Sequence, residues 1–101
     1  MMTDLAIAPS VRPRVVDGAR LQTDRMTGQP VLLFPEGMLQ LNPTAAAILE
    51  LCDGERSFAE VLAALAAKFS VAPDVLGADV GNYLRQLSQR RLVELNGAPS
   101  A

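Results

Sequence analysis

The residue types that most often carry enzyme chemistry are scarce in this sequence. It contains no histidine, and Cys52 is its only cysteine. Ser-His-Asp and Cys-His arrangements both need an imidazole as the base, so neither can form. Zinc sites take most of their ligands from Cys and His, so a zinc site is excluded as well. Carboxylates, hydroxyls and Lys68 remain, but the composition predicts a binding protein that is not an enzyme and holds no cofactor or metal.

Length and charge narrow the function classes further. The chain has 101 residues, enough for one domain with its own core, and its nine basic and eleven acidic residues give a net charge of −2. This balance provides no general attraction to nucleic acid or to an anionic membrane. No apolar run approaches the roughly 20 residues of a membrane span, and the N-terminus lacks the pattern of a secretion signal. The sequence predicts a cytoplasmic protein.

Main-chain hydrogen bonding is the chemistry that the sequence still offers, and we expect it at Met38–Leu41. The preceding Phe34–Gly37 has proline second and glycine fourth, as a type I turn prefers, which makes Met38–Leu41 the third strand of a predicted meander. Such a strand lies at a sheet edge with one row of N–H and C=O groups unpaired. It carries no charge and no proline, so a peptide can add to it as a fourth strand. The alternative is that the third helix or the N-terminal arm already covers this edge.

The third predicted helix is the second candidate surface. Its apolar stripe should face the sheet and leave a groove beside the third strand, where Tyr83 offers an apolar ring with a polar tip. Helical spacing from Val80 and Leu87 also favours Tyr83 as a core residue. The residues predicted at the exposed lip of the groove are Asp79, Tyr83, Arg85, Gln86 and Gln89.

Two other features have ordinary structural interpretations. Arg85, Arg90 and Arg91 form a basic end to the third helix, where cations interact favourably with the helix dipole. Cys52 falls on the apolar face of the first helix, which predicts a buried and unreactive thiol.

The elements that position these residues are strands first and helices afterwards. The predicted strands span residues 19–24, 31–34 and 38–41. Helices are predicted to begin at the N-cap Asn42, at the capping box Ser57–Glu60 and near Pro73. The first helix is predicted to end at Asp53-Gly54. Leu92–Leu95 is either a short closing strand or the frayed end of the third helix.

The predicted fold class is α+β and winged-helix-like, with an N-terminal three-stranded antiparallel sheet followed by a three-helix bundle. Residues 18–95 form the predicted domain, between a flexible N-terminal arm over 1–17 and a disordered tail over 96–101. Two functions besides peptide binding fit this architecture. One is a DNA-binding winged helix, and the other is a structural oligomerisation module whose bare strand edge pairs with that of a second copy to form a homodimer.

Several segments in order resemble the pyrroloquinoline quinone (PQQ) biosynthesis protein D family, PqqD. They are Phe34–Ala45, Ile48–Gly54, Ser57–Val61, Asp79-Val80 and Tyr83-Leu84, followed by Leu87 and Leu92-Val93. The resemblance runs from about Pro13 to Leu95. Arg91 departs from the family pattern, which more often has glycine before Leu-Val.

The resemblance implies a peptide chaperone of the kind called a RiPP recognition element, found in many ribosomal-peptide modification systems. Family members bind the precursor peptide PqqA along the third strand, beside the third helix. They also dock on the radical SAM enzyme PqqE, which cross-links a Glu and a Tyr of that peptide. Carried onto this sequence, the peptide-binding residues are Met38, Leu39, Gln40, Leu41, Asp79, Val80, Tyr83 and Leu84.

Overall fold

A computed structural model describes residues 7–97. Its strands are β1 (Arg12–Val15), β2 (Arg20–Thr23), β3 (Pro30–Phe34), β4 (Gly37–Gln40) and β5 (Val93–Asn96). Its helices are α1 (Pro43–Glu50), α2 (Phe58–Phe69) and α3 (Pro73–Gln89). The strands form two antiparallel sheets, β2-β3-β4 and β1-β5. The predicted α+β class is therefore confirmed, while the likeness to a winged helix stays a prediction.

The three-stranded meander is present where the sequence places it. Leu32, at the centre of β3, lies opposite Leu21 of β2 and Leu39 of β4, and its side chain is fully buried. The β2–β3 turn is closed by the N–H of Asp24, which donates to the Gln29 carbonyl at 2.8 Å. Gly28 in this turn has a φ of 74°, which glycine adopts without steric cost. The prediction of β4 as an edge strand is confirmed.

The N-terminal segment differs from the predicted flexible arm over 1–17. β1 pairs with β5, the Val11 and Pro13 side chains are buried, and the Val16 N–H donates to the Leu92 carbonyl at 3.1 Å. Local patterns did not predict this strand because its partner lies about eighty residues away and because a proline, Pro13, lies within it. Residues 1–6 of the arm lie outside the described residues.

The same pairing decides between the alternatives at the C-terminal end. The sequence predicts Leu92–Leu95 as a closing strand or a frayed helix end, and the structure has the strand β5 over Val93–Asn96. Pairing with β1 gives this short segment its hydrogen bonds, and Val93 is buried. Of the predicted tail over 96–101, residues 98–101 lie outside the described residues.

The helix starts follow the predicted capping signals. The Asn42 side chain accepts a 2.7 Å hydrogen bond from the Ala45 N–H at the start of α1. Ser57 and Glu60 form a reciprocal capping box at the start of α2. Pro73 occupies the first turn of α3. α1 ends at Glu50, earlier than predicted, and the chain then turns through Cys52 toward the bridge between Arg14 and Asp53.

Arg91, the departure from the family pattern, lies at the end of α3. The Leu92 N–H donates back to the Leu87 carbonyl at 2.9 Å, while Arg91 has a φ of 63°. This is the left-handed helix ending in which glycine is favoured because it has no Cβ. Ser70, which ends α2, is the other non-glycine residue with positive φ among residues 7–97.

The core lies where the helices and the two sheets meet. Its most buried large side chains include Leu49 of α1, Leu65 of α2, Leu84 of α3 and Val93 of β5. Within residues 7–97 no single helix has the length and apolarity to cross a membrane. Only α2 and α3 taken together pass that test of length and composition, as a pair bent by 117°.

Candidate functional site

The outer edge of β4 presents the main-chain groups of Met38 and Gln40. The Leu41 N–H donates to the Pro30 carbonyl of β3 at 2.9 Å, and the next pair along the ladder is Gln40 opposite Val31. Antiparallel pairs alternate between bonded and non-bonded, so Gln40 belongs to a non-bonded pair, and so does Met38 two residues earlier. The N–H and C=O groups of these two residues therefore point away from β3.

No element among residues 7–97 pairs with this edge. Of the two predicted covers, the N-terminal arm pairs through its β1 with β5 instead, and the third helix adds no strand to the sheet. Gly37, Met38 and Gln40 are all exposed, and 52% of the Met38 surface is accessible. The opposite edge of the sheet, β2, begins with the exposed Arg20, and charge of this kind discourages strand addition. β4 is therefore the edge better suited to receive another strand.

A cleft of about 240 Å³ separates β4 from α3. Its walls combine apolar side chains with amide and guanidinium groups. The lining residues are Leu39, Gln40, Leu41, Asn42, Ala45, Tyr83, Gln86, Leu87 and Arg90. A strand added to β4 would lie alongside this cleft, because the cleft and the free main-chain groups share the same edge.

The structure brings together some of the predicted site residues and not others. Leu39, Gln40, Leu41 and Tyr83 all line the cleft. Met38 lies on the same edge but does not line it. The remaining three predicted residues are on α3: Asp79 is exposed away from the cleft, whereas Val80 and Leu84 are in the core, with 3% and 0% of their surface accessible. Val80 and Leu84 therefore pack α3 against the core and do not line the cleft.

Tyr83 combines the two roles proposed for it. It is half-buried and packs against the core, and it also lines the cleft. Burial raises the pKa of the Tyr83 hydroxyl, and the positive charge of Arg90 acts in the opposite direction. The phenol is therefore neutral at physiological pH and can donate a hydrogen bond into the cleft.

Arg90 is the cleft residue whose role the sequence did not reveal. It was assigned to the helix dipole, yet it lines the cleft together with Gln86. The available signal was helical spacing, since Tyr83, Gln86 and Arg90 are separated by three and four residues and so share a face. Gln86 was found at the groove lip by that reasoning.

Cys52 is buried, as predicted, and lies outside the cleft. Its thiol donates to the Ile48 carbonyl at 3.2 Å. Burial, with a smaller contribution from the charge of Asp53, raises its pKa to about 12. A thiol that stays protonated is a poor nucleophile, so this residue belongs to the fold rather than to a reactive site.

Comparison with known proteins identifies the family. The sequence-family model described as "Coenzyme PQQ synthesis protein D (PqqD)" matches residues 30–93, which include β3, β4 and all three helices. The chain belongs to the PqqD family. The expected resemblance is confirmed by this match.

PqqD relatives cover most of the chain. A PqqA binding protein of Azotobacter vinelandii is 40% identical over 84 residues, which are 83% of this chain and 90% of the relative. A PqqA binding protein of Rhizobium meliloti is 35% identical over 82 residues, covering 81% and 84%. Both relatives are named for binding PqqA. The residues of the cleft beside β4 lie inside the region that the family model matches.

Two solved PqqD structures share the fold. One is the PqqD truncation of Methylobacterium extorquens PqqCD, described as a functional and stand-alone RiPP recognition element. It matches with a TM-score of 0.74 at 33% identity, over 89% of this chain and 96% of that one. The crystal structure of PqqD from Xanthomonas campestris matches with a TM-score of 0.55 at 36% identity, over 80% and 90%.

Proposed function

We propose that this protein is a non-catalytic peptide chaperone of PQQ biosynthesis that binds the precursor PqqA by strand addition to β4. The observation that carries the proposal is the pair of outward main-chain positions, Met38 and Gln40, beside the cleft formed with α3. PQQ synthesis and PqqA binding enter from the family and from the names of the relatives.

Strand addition suits a flexible peptide. Main-chain hydrogen bonds at Met38 and Gln40 supply attraction that depends little on sequence, while alternate side chains of the peptide reach the cleft and give selectivity. Ordering the peptide costs roughly 2–5 kcal/mol of the gross interaction. We therefore expect dissociation constants in the micromolar to submicromolar range, equivalent to about −8 to −10 kcal/mol.

We also propose that the bound peptide is presented to the radical SAM enzyme PqqE. In a peptide added as a strand, every second side chain points away from the peptide face that contacts this protein. A peptide held by its backbone along β4 therefore keeps its other face, and the segments beyond the paired residues, accessible to an enzyme. The protein needs no reactive group of its own to present a peptide. A protonated, buried Cys52 agrees with this role.

A proline at Gln40 tests strand addition. Because the Gln40 N–H points away from β3, Gln40→Pro removes one donor to the peptide without removing a bond of the sheet. We expect PqqA binding, followed by calorimetry and amide NMR, to fall below detection while the circular dichroism spectrum is retained. Gln40→Ala is the matched control, since it removes the same side chain but keeps the N–H.

Two outcomes of this experiment decide whether the peptide binds by strand addition. Saturable shifts at Met38–Gln40 and along the cleft side of α3 in the native protein, absent in Gln40→Pro and present in Gln40→Ala, support the proposal. Undiminished binding to a folded Gln40→Pro protein would contradict strand addition.

The same edge permits a homodimer in which β4 of one copy pairs with β4 of another. β4 lacks charge, so nothing in its side chains prevents self-pairing. Such a dimer would compete with the peptide for Met38 and Gln40. Sedimentation velocity across a concentration series should then show a dimer that PqqA converts to a peptide-bound monomer.

A further inference from the structure

A second cavity lies past Arg90, at the turn that joins β3 to β4. Its volume is about 420 Å³. The lining residues are Val16, Gly18, Phe34, Pro35, Glu36, Arg90, Arg91 and Leu92. Arg90 lines both this cavity and the cleft beside β4, so the two hollows adjoin at this residue. We call this second hollow the turn cavity.

The turn cavity has an apolar floor and a cationic rim. Phe34 is half-buried and Leu92 is buried, whereas Arg90 and Arg91 are exposed. Within residues 7–97, the ion pairs involve Arg14 and Arg56 rather than these two arginines. Glu36 is the acidic residue on the lining. Two cations against one carboxylate leave the rim with a net positive charge, and partial enclosure strengthens its attraction for an anion.

The backbone at Arg91 points to a role for its side chain. Its φ of 63° is the conformation that glycine adopts freely and that is strained for a residue with a Cβ. A strained conformation at a ligand-facing residue is a reason to look for function there. Arg91 is also one of the residues that line the turn cavity.

We propose that the turn cavity binds the carboxylate side chain of one acidic residue of the peptide that pairs with β4. This inference rests on the proposed function, because a strand leaving the edge of β4 in the direction of Gly37 runs toward the turn. In an extended strand, the acidic residue lies beyond the one opposite Met38, on the side of Gly37. Arg90 and Arg91 supply donors suited to a carboxylate, and the apolar floor accommodates a neighbouring aliphatic side chain.

The test pairs charge changes on the peptide with charge changes on the rim. The probe is a PqqA precursor peptide with acetylated and amidated termini, together with companions in which single Glu or Asp residues become Gln or Asn. One companion should bind the native protein about three- to ten-fold more weakly. The Arg90→Gln/Arg91→Gln double variant should bind this companion and the unchanged peptide with equal affinity. Because the capped peptide has no terminal carboxylate, the loss reports a side chain.

Four further variants test whether the effect is specific to Arg90 and Arg91. Arg85→Gln, on α3 but absent from both linings, should leave the loss intact. Glu36→Gln should tighten binding by removing the opposing charge. Arg91→Gly should raise the melting temperature while lowering affinity, whereas Arg91→Lys should keep the affinity. A purely structural role for Arg91 would not produce opposite changes in stability and binding.

The outcomes also distinguish this inference from the proposed function. If the peptide binds, Gln40→Pro abolishes binding, and no acidic residue couples to Arg90 and Arg91, then the turn cavity is not an acidic subsite and strand addition stands. If Arg85→Gln removes the loss as well as the double variant does, the effect is general electrostatics and the inference is wrong. If the native protein binds no peptide, both proposals fall.

Discussion

At the scale of single residues, Arg91 shows how a backbone conformation constrains a side chain. Replacing it with glycine relieves the positive φ of 63°, so we expect Arg91→Gly to raise the free energy of unfolding by about 1 kcal/mol. Urea denaturation measures this change. The neighbouring Arg90 is the control, because its φ of −87° suits any residue. Arg90→Gly should be neutral or destabilising, and equal stabilisation by both variants would contradict the strain argument.

Cys52 is expected to resist alkylation in the folded protein. Its pKa is raised to about 12, above the usual value near 8.5 in an unfolded chain. The folded state thus favours the protonated thiol, and this contribution to stability is complete below the unfolded pKa and is lost as the pH rises from there toward 12. Iodoacetamide at pH 8 should label the denatured protein rapidly and the native protein slowly. Equal rates would show that the thiol is accessible.

The residues of the cleft were predictable from the sequence where the pattern of a single strand or helix places them. Leu39, Gln40 and Leu41 follow from the turn before β4, and Tyr83 follows from helical spacing. Val80 and Leu84 were assigned to the wall of the groove through the family resemblance, but they are 3% and 0% accessible and belong to the core. A helix face divides between core and groove at an angle that depends on the tertiary packing, which a single sequence does not specify.

At the scale of secondary-structure elements, β1 is the strand that local signals missed. Val11 precedes it with 2% of its surface accessible, and its carbonyl accepts a 2.6 Å hydrogen bond from the Phe58 N–H. We expect Val11→Ala to lower the free energy of unfolding by about 2 kcal/mol, through lost burial and a small cavity. Arg12→Ala, at an exposed position one residue on, is the matched control. Similar small effects from both would favour the flexible arm.

The contrast between β1 and the meander explains what the sequence can predict. β2, β3 and β4 are joined by short turns whose glycines and prolines mark them locally. β1 and β5 are four residues each and pair across nearly the whole chain, with Arg12 opposite Asn96. A pairing of this kind leaves no mark on either segment alone, so Leu92–Leu95 had two interpretations until its partner was known. The helix starts were predictable because Asn42 and Ser57 act on their own first turns.

At the scale of the whole molecule, ligand-induced stabilisation distinguishes the peptide chaperone from the DNA-binding alternative. A ligand that binds only the folded state stabilises it by about 2.7 kcal/mol at a hundred times its dissociation constant. PqqA at that excess should therefore raise the melting temperature by roughly 10–20 °C, since about 1 kcal/mol shifts a domain of this size by roughly 4–8 °C. The net charge of −2 provides no general attraction to phosphates, so duplex DNA at low salt should leave the melting temperature unchanged. Gln40→Pro should remove the response to the peptide while melting at nearly the native temperature without it. A shift with DNA that disappears at higher salt would instead favour nucleic-acid binding, because release of counterions makes that interaction salt-dependent.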